Sequence, residues 1–153
     1  MKVALTGHRP EILKGQESKV FNWISCVIEI LFEGHAEREV LCGMARGADV
    51  IFGQAALKSG NSALHLCLPC RHYGELNADR DYWELMDNAA EITYMQDKWS
   101  KGCDDKRDRY MVDNCDVLLA VWDGIPAGGV WSTIQYAVEK GKPIIYINRE
   151  IFK

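Results

Sequence analysis

Three short stretches of this sequence carry residues suited to holding a phosphate, and each follows an apolar run. The first is Thr6-Gly7-His8-Arg9. The second is Gly43-Met44-Ala45-Arg46-Gly47, with Asp49 two residues on. The third follows Val117-Leu118-Leu119-Ala120-Val121: Trp122-Asp123-Gly124, then Gly128-Gly129 ahead of Trp131, Ser132 and Thr133. Glycine lets an anion approach the backbone, and the first-turn amides of a helix point outward at its positive end. Arg9 and Arg46 would add charge-assisted contacts. Asp49, Asp123 and the hydroxyls of Thr6, Ser132 and Thr133 would meet ribose or phosphate oxygens. Ser132 and Thr133 are expected in the first turn of the helix that Gly128-Gly129 opens. His8 follows a strand-ending glycine, where a structural hydrogen bond is the expected role ahead of acid–base work. Trp131 either walls the pocket and stacks on a base or blocks it.

The elements that must position these groups alternate. Residues 2–6, 39–42, 63–68, 117–121 and 144–147 read as strands, with a further short strand at 92–95. Between them, Val20, Phe21, Ile24, Val27, Ile28, Leu31 and Phe32 repeat at helical spacing within 16–33, the clearest helix in the chain. Further helices are expected after Gly47 up to Gly60, within 75–88 around Tyr82, Trp83, Leu85 and Met86, from Asp104-Asp105 onward, and after Gly129. Pro10 biases Arg9 away from helix and breaks the chain there. Trp83 is expected in the core. Such alternation means a parallel sheet with helices on both faces and right-handed crossovers. In a doubly wound order the first strand lies in the middle. All three polar strand ends could then border one crevice at the carboxyl edge, where open parallel sheets bind ligands.

Composition narrows the partners. The 153 residues suit one domain spanning 1–153, and the formal charge of −4 disfavours, without excluding, a nucleic-acid partner. No apolar run approaches membrane-spanning length and no signal-peptide pattern is present, so a cytoplasmic protein with no membrane partner is expected. Six cysteines in that setting read as reduced thiols. His65-x-Cys67-x-x-Cys70-x-His72 offers four metal-ligand side chains. A closed zinc site usually draws on two segments, however, and no second pair exists, so no metal is expected. Trp23 and Ile30 fall off the buried face of their helix, which points to a homo-oligomer.

The motifs TGHRP, CGMARGAD and RDRYMVDNCDVLLAVWDG with a following GG resemble the SLOG superfamily, and within it the YpsA-like group. The resemblance runs from Val3 to Ile147. It implies a Rossmann-like fold and a pocket for a nucleotide or nucleotide-derived ligand. Together with the residues above, this leads us to expect a sensor, carrier or sequestering protein with no separate cofactor. The segment 43–49 is similar to the glycine-arginine-glycine segment of DNA-processing proteins that bind single-stranded DNA. Arg107 and Met111 before Asp116, with the later GG, are similar to the LONELY GUY phosphoribohydrolases, which implies a ligand role for Arg107. Those hydrolases carry PGGxGTxxE. Here GGVWSTIQ puts Trp131 at the third glycine, Ser132 at the threonine and Gln135 at the glutamate. An amide cannot exchange a proton or stabilise a cationic transition state as a carboxylate does. Binding without cleavage is therefore expected. The alternatives are a nucleotide N-glycosidase and a single-stranded nucleic-acid binder.

Overall fold

A computed structural model describes residues 1–153. β1 (Lys2–Gly7), β2 (Glu39–Cys42), β3 (Ala63–Leu68), β4 (Glu91–Tyr94), β5 (Val117–Val121) and β6 (Ile144–Tyr146) form one sheet, ordered β4-β3-β2-β1-β5-β6. Every neighbouring pair is parallel. β5 is buried at all five positions, as a strand covered on both faces must be. The chain builds outward from β1 through β2, β3 and β4, then returns to place β5 on the other side of β1. Strand order therefore reverses between β1 and β5, and the connections leaving these two strands diverge above that point.

The period-two alternation of β1 divides its side chains between two cores. Val3 and Leu5 join the cluster under α2 (Glu17–Phe32), α3 (Ala48–Ser59) and α4 (Arg80–Asn88), whereas Ala4 joins Leu41, Cys67 and Leu118 under α5 (Cys103–Asn114) and α6 (Gly128–Glu139). α2 buries Val20, Ile24, Ile28 and Phe32, a stripe with four-residue spacing. The result is an α/β, Rossmann-like, doubly wound sheet with helices on both faces.

Local differences from the sequence reading have local causes. Pro10 does break the chain, but it also opens α1 (Pro10–Leu13), because its fixed φ and missing N–H suit a first helical position. The helix expected within 75–88 divides into a 3-10 turn at Glu75–Asn77 and α4, whose start is set by the Asp79 carboxylate accepting from the Tyr82 amide at 3.0 Å. Trp83 is 42% exposed; Tyr82 and Leu85 take the buried side of that helix. Trp23 is half-buried and packs on the core, leaving Ile30, at 70% exposed, as the apolar outlier of α2. β6 stops at Tyr146, and a 3-10 turn at Arg149–Phe152 follows it. No helix is long and apolar enough to cross a membrane.

Candidate functional site

The three polar strand ends meet above the β1–β5 switch point. They line a cleft of about 390 Å³ containing Thr6, Gly7, His8 and Arg9 from the β1 end, Ala45 and Asp49 from the second segment, and Gly128 and Gly129 from the third. α6 begins there with Ala127 at its N-cap and no side-chain cap. The amides of Gly128, Gly129 and Val130 find no acceptor in the protein, so three donors at a helix N-terminus stand free at the cleft. The first amide of α3 is not available in this way, because Ala48 donates to the His8 carbonyl at 3.1 Å.

The glycines of the second segment serve this packing. Gly47 has φ +96°, and a Cβ there would lie 2.6 Å from the His8 carbonyl oxygen and 2.8 Å from the Arg9 Cα. A Cβ on Gly43 would lie 2.9 Å from both Arg107 Nη1 and Asp49 Oδ2. Met44, between them, holds φ +64° although it is not glycine, and it is buried. Its loop is pinned by the Ala45 amide, which donates to Asp49 Oδ2 at 3.1 Å, and by the Cys42 thiol on the Asp49 carbonyl at 3.0 Å.

Arg107 on α5 is the charge beneath the cleft. It is 4% exposed. Its Nε donates to Asp108 Oδ1 at 2.6 Å, and its Nη1 donates to the Gly43 carbonyl and to the Cys67 carbonyl, the latter at 3.4 Å. Nη2 has no protein partner. Burial pushes the Asp49 carboxyl up to about 7, against an opposing pull from Arg107. Asp108 is raised by burial too, again opposed by Arg107, while Asp108 and Asp49 hold the guanidinium charged. Two carboxyls of altered acidity thus flank one buried cation.

His8 Nε2 lies 3.1 Å from both the Asp123 amide nitrogen and Asp123 Oδ1. The neutral ring accepts from the amide, and a ring protonated at Nε2 donates to the carboxylate, so either state ties β1 to the end of β5. Asp123 Oδ1 also accepts from the Ile125 amide at 3.0 Å, and Asp123 does not line the cleft. Arg46 lines a neighbouring cavity instead. Ser132 and Thr133 fall in the second turn of α6, because that helix begins at Gly128. Ser132 is exposed, while Thr133 is buried, with its hydroxyl 2.9 Å from the Gly129 carbonyl and 3.3 Å from Asp108 Oδ2. Trp131 stacks on Trp122 at 5.3 Å and stands outside the cleft lining. Gln135 is exposed and also outside it.

The lining includes Glu11, Asp104 and Asp108, which motif reading passed over. Asp104 and Asp108 sit one turn apart on α5, on the side that carries Arg107 and Met111, and this spacing was the available signal. The cysteine–histidine segment lies elsewhere. His65 Nδ1 is 2.9 Å from Glu39 Oε1 and its Nε2 2.7 Å from the Thr93 hydroxyl, while burial lifts the Cys67 thiol to about 12.

No protein-family model and no curated protein sequence matches the chain. Solved structures do. DNA processing protein A from Helicobacter pylori, described for its single-stranded DNA binding mode, superposes with a TM-score of 0.71 at 20% identity over 95% of this chain. The match spans only 64% of that protein's length. The protein TM1055 superposes with a TM-score of 0.60 at 17% identity, over 94% of this chain and 71% of its own. At such identities the likeness is one of fold: both neighbours share the Rossmann-type α/β architecture.

Proposed function

We propose that the chain is a YpsA-like member of the SLOG superfamily that binds a nucleotide or nucleotide-derived small molecule in the β1–β5 cleft, acting as sensor, carrier or sequestering protein. The observation that carries this reading is the set of free amides at Gly128, Gly129 and Val130, facing the same space as Arg9 and the open Nη2 of Arg107. Helix-start amides and guanidinium groups both recognise phosphate. Mass spectrometry of small molecules released from natively purified protein should find a phosphorylated nucleoside derivative. Arg9→Ala should weaken its binding by about 1.5–3 kcal/mol, the range for a hydrogen bond to a charged group. Absence of any such molecule, together with no calorimetric binding of AMP or GMP, would overturn the reading.

A second reading has its own support. Asp49, with its carboxyl near 7, and the raised Asp108 bracket the cleft, a pairing suited to proton transfer in N-glycosidic hydrolysis. The binding-only reading expects no free base from AMP or GMP. Release that disappears in Asp108→Asn would establish the enzyme. Gln135→Glu is expected to change neither outcome, since that side chain lies outside the cleft. A long nucleic acid is disfavoured by the formal charge of −4. A homo-oligomer remains part of the proposal, supported by the exposed Ile30; sedimentation at the mass of one 17.3 kDa chain would reject it.

A further inference from the structure

Beside the phosphate-binding cleft lies a larger cavity, of about 800 Å³, that shares Arg9 and Asp104 with it. The two adjoin at these residues. The second is floored by the buried Leu13 and Met44, the residue in the left-handed backbone conformation. Its wall carries Tyr73 and Trp99, whose rings stack within 10° of parallel at 6.4 Å. Trp99 is 58% exposed, so an indole face is available although the ring is already held by its neighbour. Arg46 lines the same cavity and makes no ion pair or side-chain hydrogen bond in the protein. Glu17 and Asp81, also at its margin, form no ion pair.

We propose that this second cavity is the nucleobase subsite of the ligand whose phosphate occupies the cleft. The inference rests on the phosphate reading given above. Its contents suit a base better than a further phosphate. The unpaired Glu17 and Asp81 carboxylates accept hydrogen bonds from the amino and imino N–H groups of adenine or guanine. Arg46 supplies donors for the ring acceptors of a purine. The exposed face of Trp99 supplies a stacking surface that tolerates either base. Arg9, common to both cavities, stands where the sugar-phosphate must cross, so the ligand class is a purine nucleoside 5′-phosphate lying along the sheet edge.

Calorimetry with AMP, GMP and ribose 5-phosphate (which has the phosphate but no base) separates the two halves. Trp99 is exposed and its replacement leaves the core intact, which thermal melting of each variant verifies. Trp99→Ala should weaken AMP and GMP by about 5- to 150-fold, the range for losing one stacked base. It should leave ribose 5-phosphate within about twofold, and Trp99→Phe should restore most of the nucleotide affinity because a π-face returns. If AMP and GMP bind Trp99→Ala as tightly as the unmodified protein, the base lies elsewhere and this inference fails while the cleft reading stands. If the unmodified protein binds none of the three, the cleft reading fails and this inference falls with it.

Discussion

Replacing Asp49 with asparagine is expected to stabilise the protein increasingly as pH rises. Asp49 is 6% exposed, and burial raises its carboxyl from 3.8 to about 7 in spite of Arg107. In the unfolded chain the same group titrates at about 3.9. Between those two values the folded protein keeps a proton that the unfolded chain has released. Stability contributed by the protonated group is thus complete below about pH 4 and declines through about pH 7, at up to about 1.4 kcal/mol per pH unit. Over roughly three units the decline reaches about 4 kcal/mol, a ceiling because Arg107 and Asp108 respond to the same proton. Asparagine retains an oxygen for the Ala45 amide and has nothing to ionise. Urea denaturation of both proteins at pH 4.5, 6 and 8 measures the difference, and the advantage of the variant should grow by about 1–4 kcal/mol across the series. A variant that instead loses ground as pH rises would mean that Asp49 is ionised throughout as the partner of Arg107, and the argument from burial would be refuted.

Gly47→Ala should destabilise the protein by at least about 1–3 kcal/mol in chemical denaturation, because φ is +96° and the new methyl would sit 2.6 Å from the His8 carbonyl. Arg107→Met leaves Asp108 and Asp49 without their buried cation and should cost about 3–5 kcal/mol, measured the same way, whereas removal of an exposed arginine such as Arg46 should change stability by less than about 0.5 kcal/mol. Cys26 is the exposed thiol among six free cysteines, so titration with a chromogenic disulfide reagent should register one fast thiol in the native protein and the other five only on unfolding.

The architecture was legible because it is written in local, repetitive signals. Apolar runs of four to six residues punctuated by glycine, alternating with the 20-24-28-32 stripe of α2, admit little except a parallel sheet under helices. Once β1 is central, the ends of β1 and β5 must adjoin, and the β2 end follows β1 by one strand. The convergence of Thr6–Arg9 with Gly128-Gly129 therefore followed from topology alone. Where an individual side chain points did not. Arg46 and Arg107 look equivalent in sequence, yet one faces the neighbouring cavity unpaired while the other is buried under the cleft, held by two carbonyls and a carboxylate.

The sequence by itself determined the element order, the sheet class and the edge at which the polar strand ends gather, since hydrophobic period and glycine placement act over a few residues. Only the tertiary structure decided which groups share the cleft. It brought Asp104 and Asp108 in through one face of α5, turned Gln135 to solvent and seated Trp131 on Trp122. It also set a second cavity, with Trp99 and Tyr73, beside the first. The physical reason is helical phase and long-range packing. A start at Gly128 fixes the angle of every later residue on α6. Whether a charge is buried or free depends on partners such as Gly43 and Arg107, 64 positions apart in the chain.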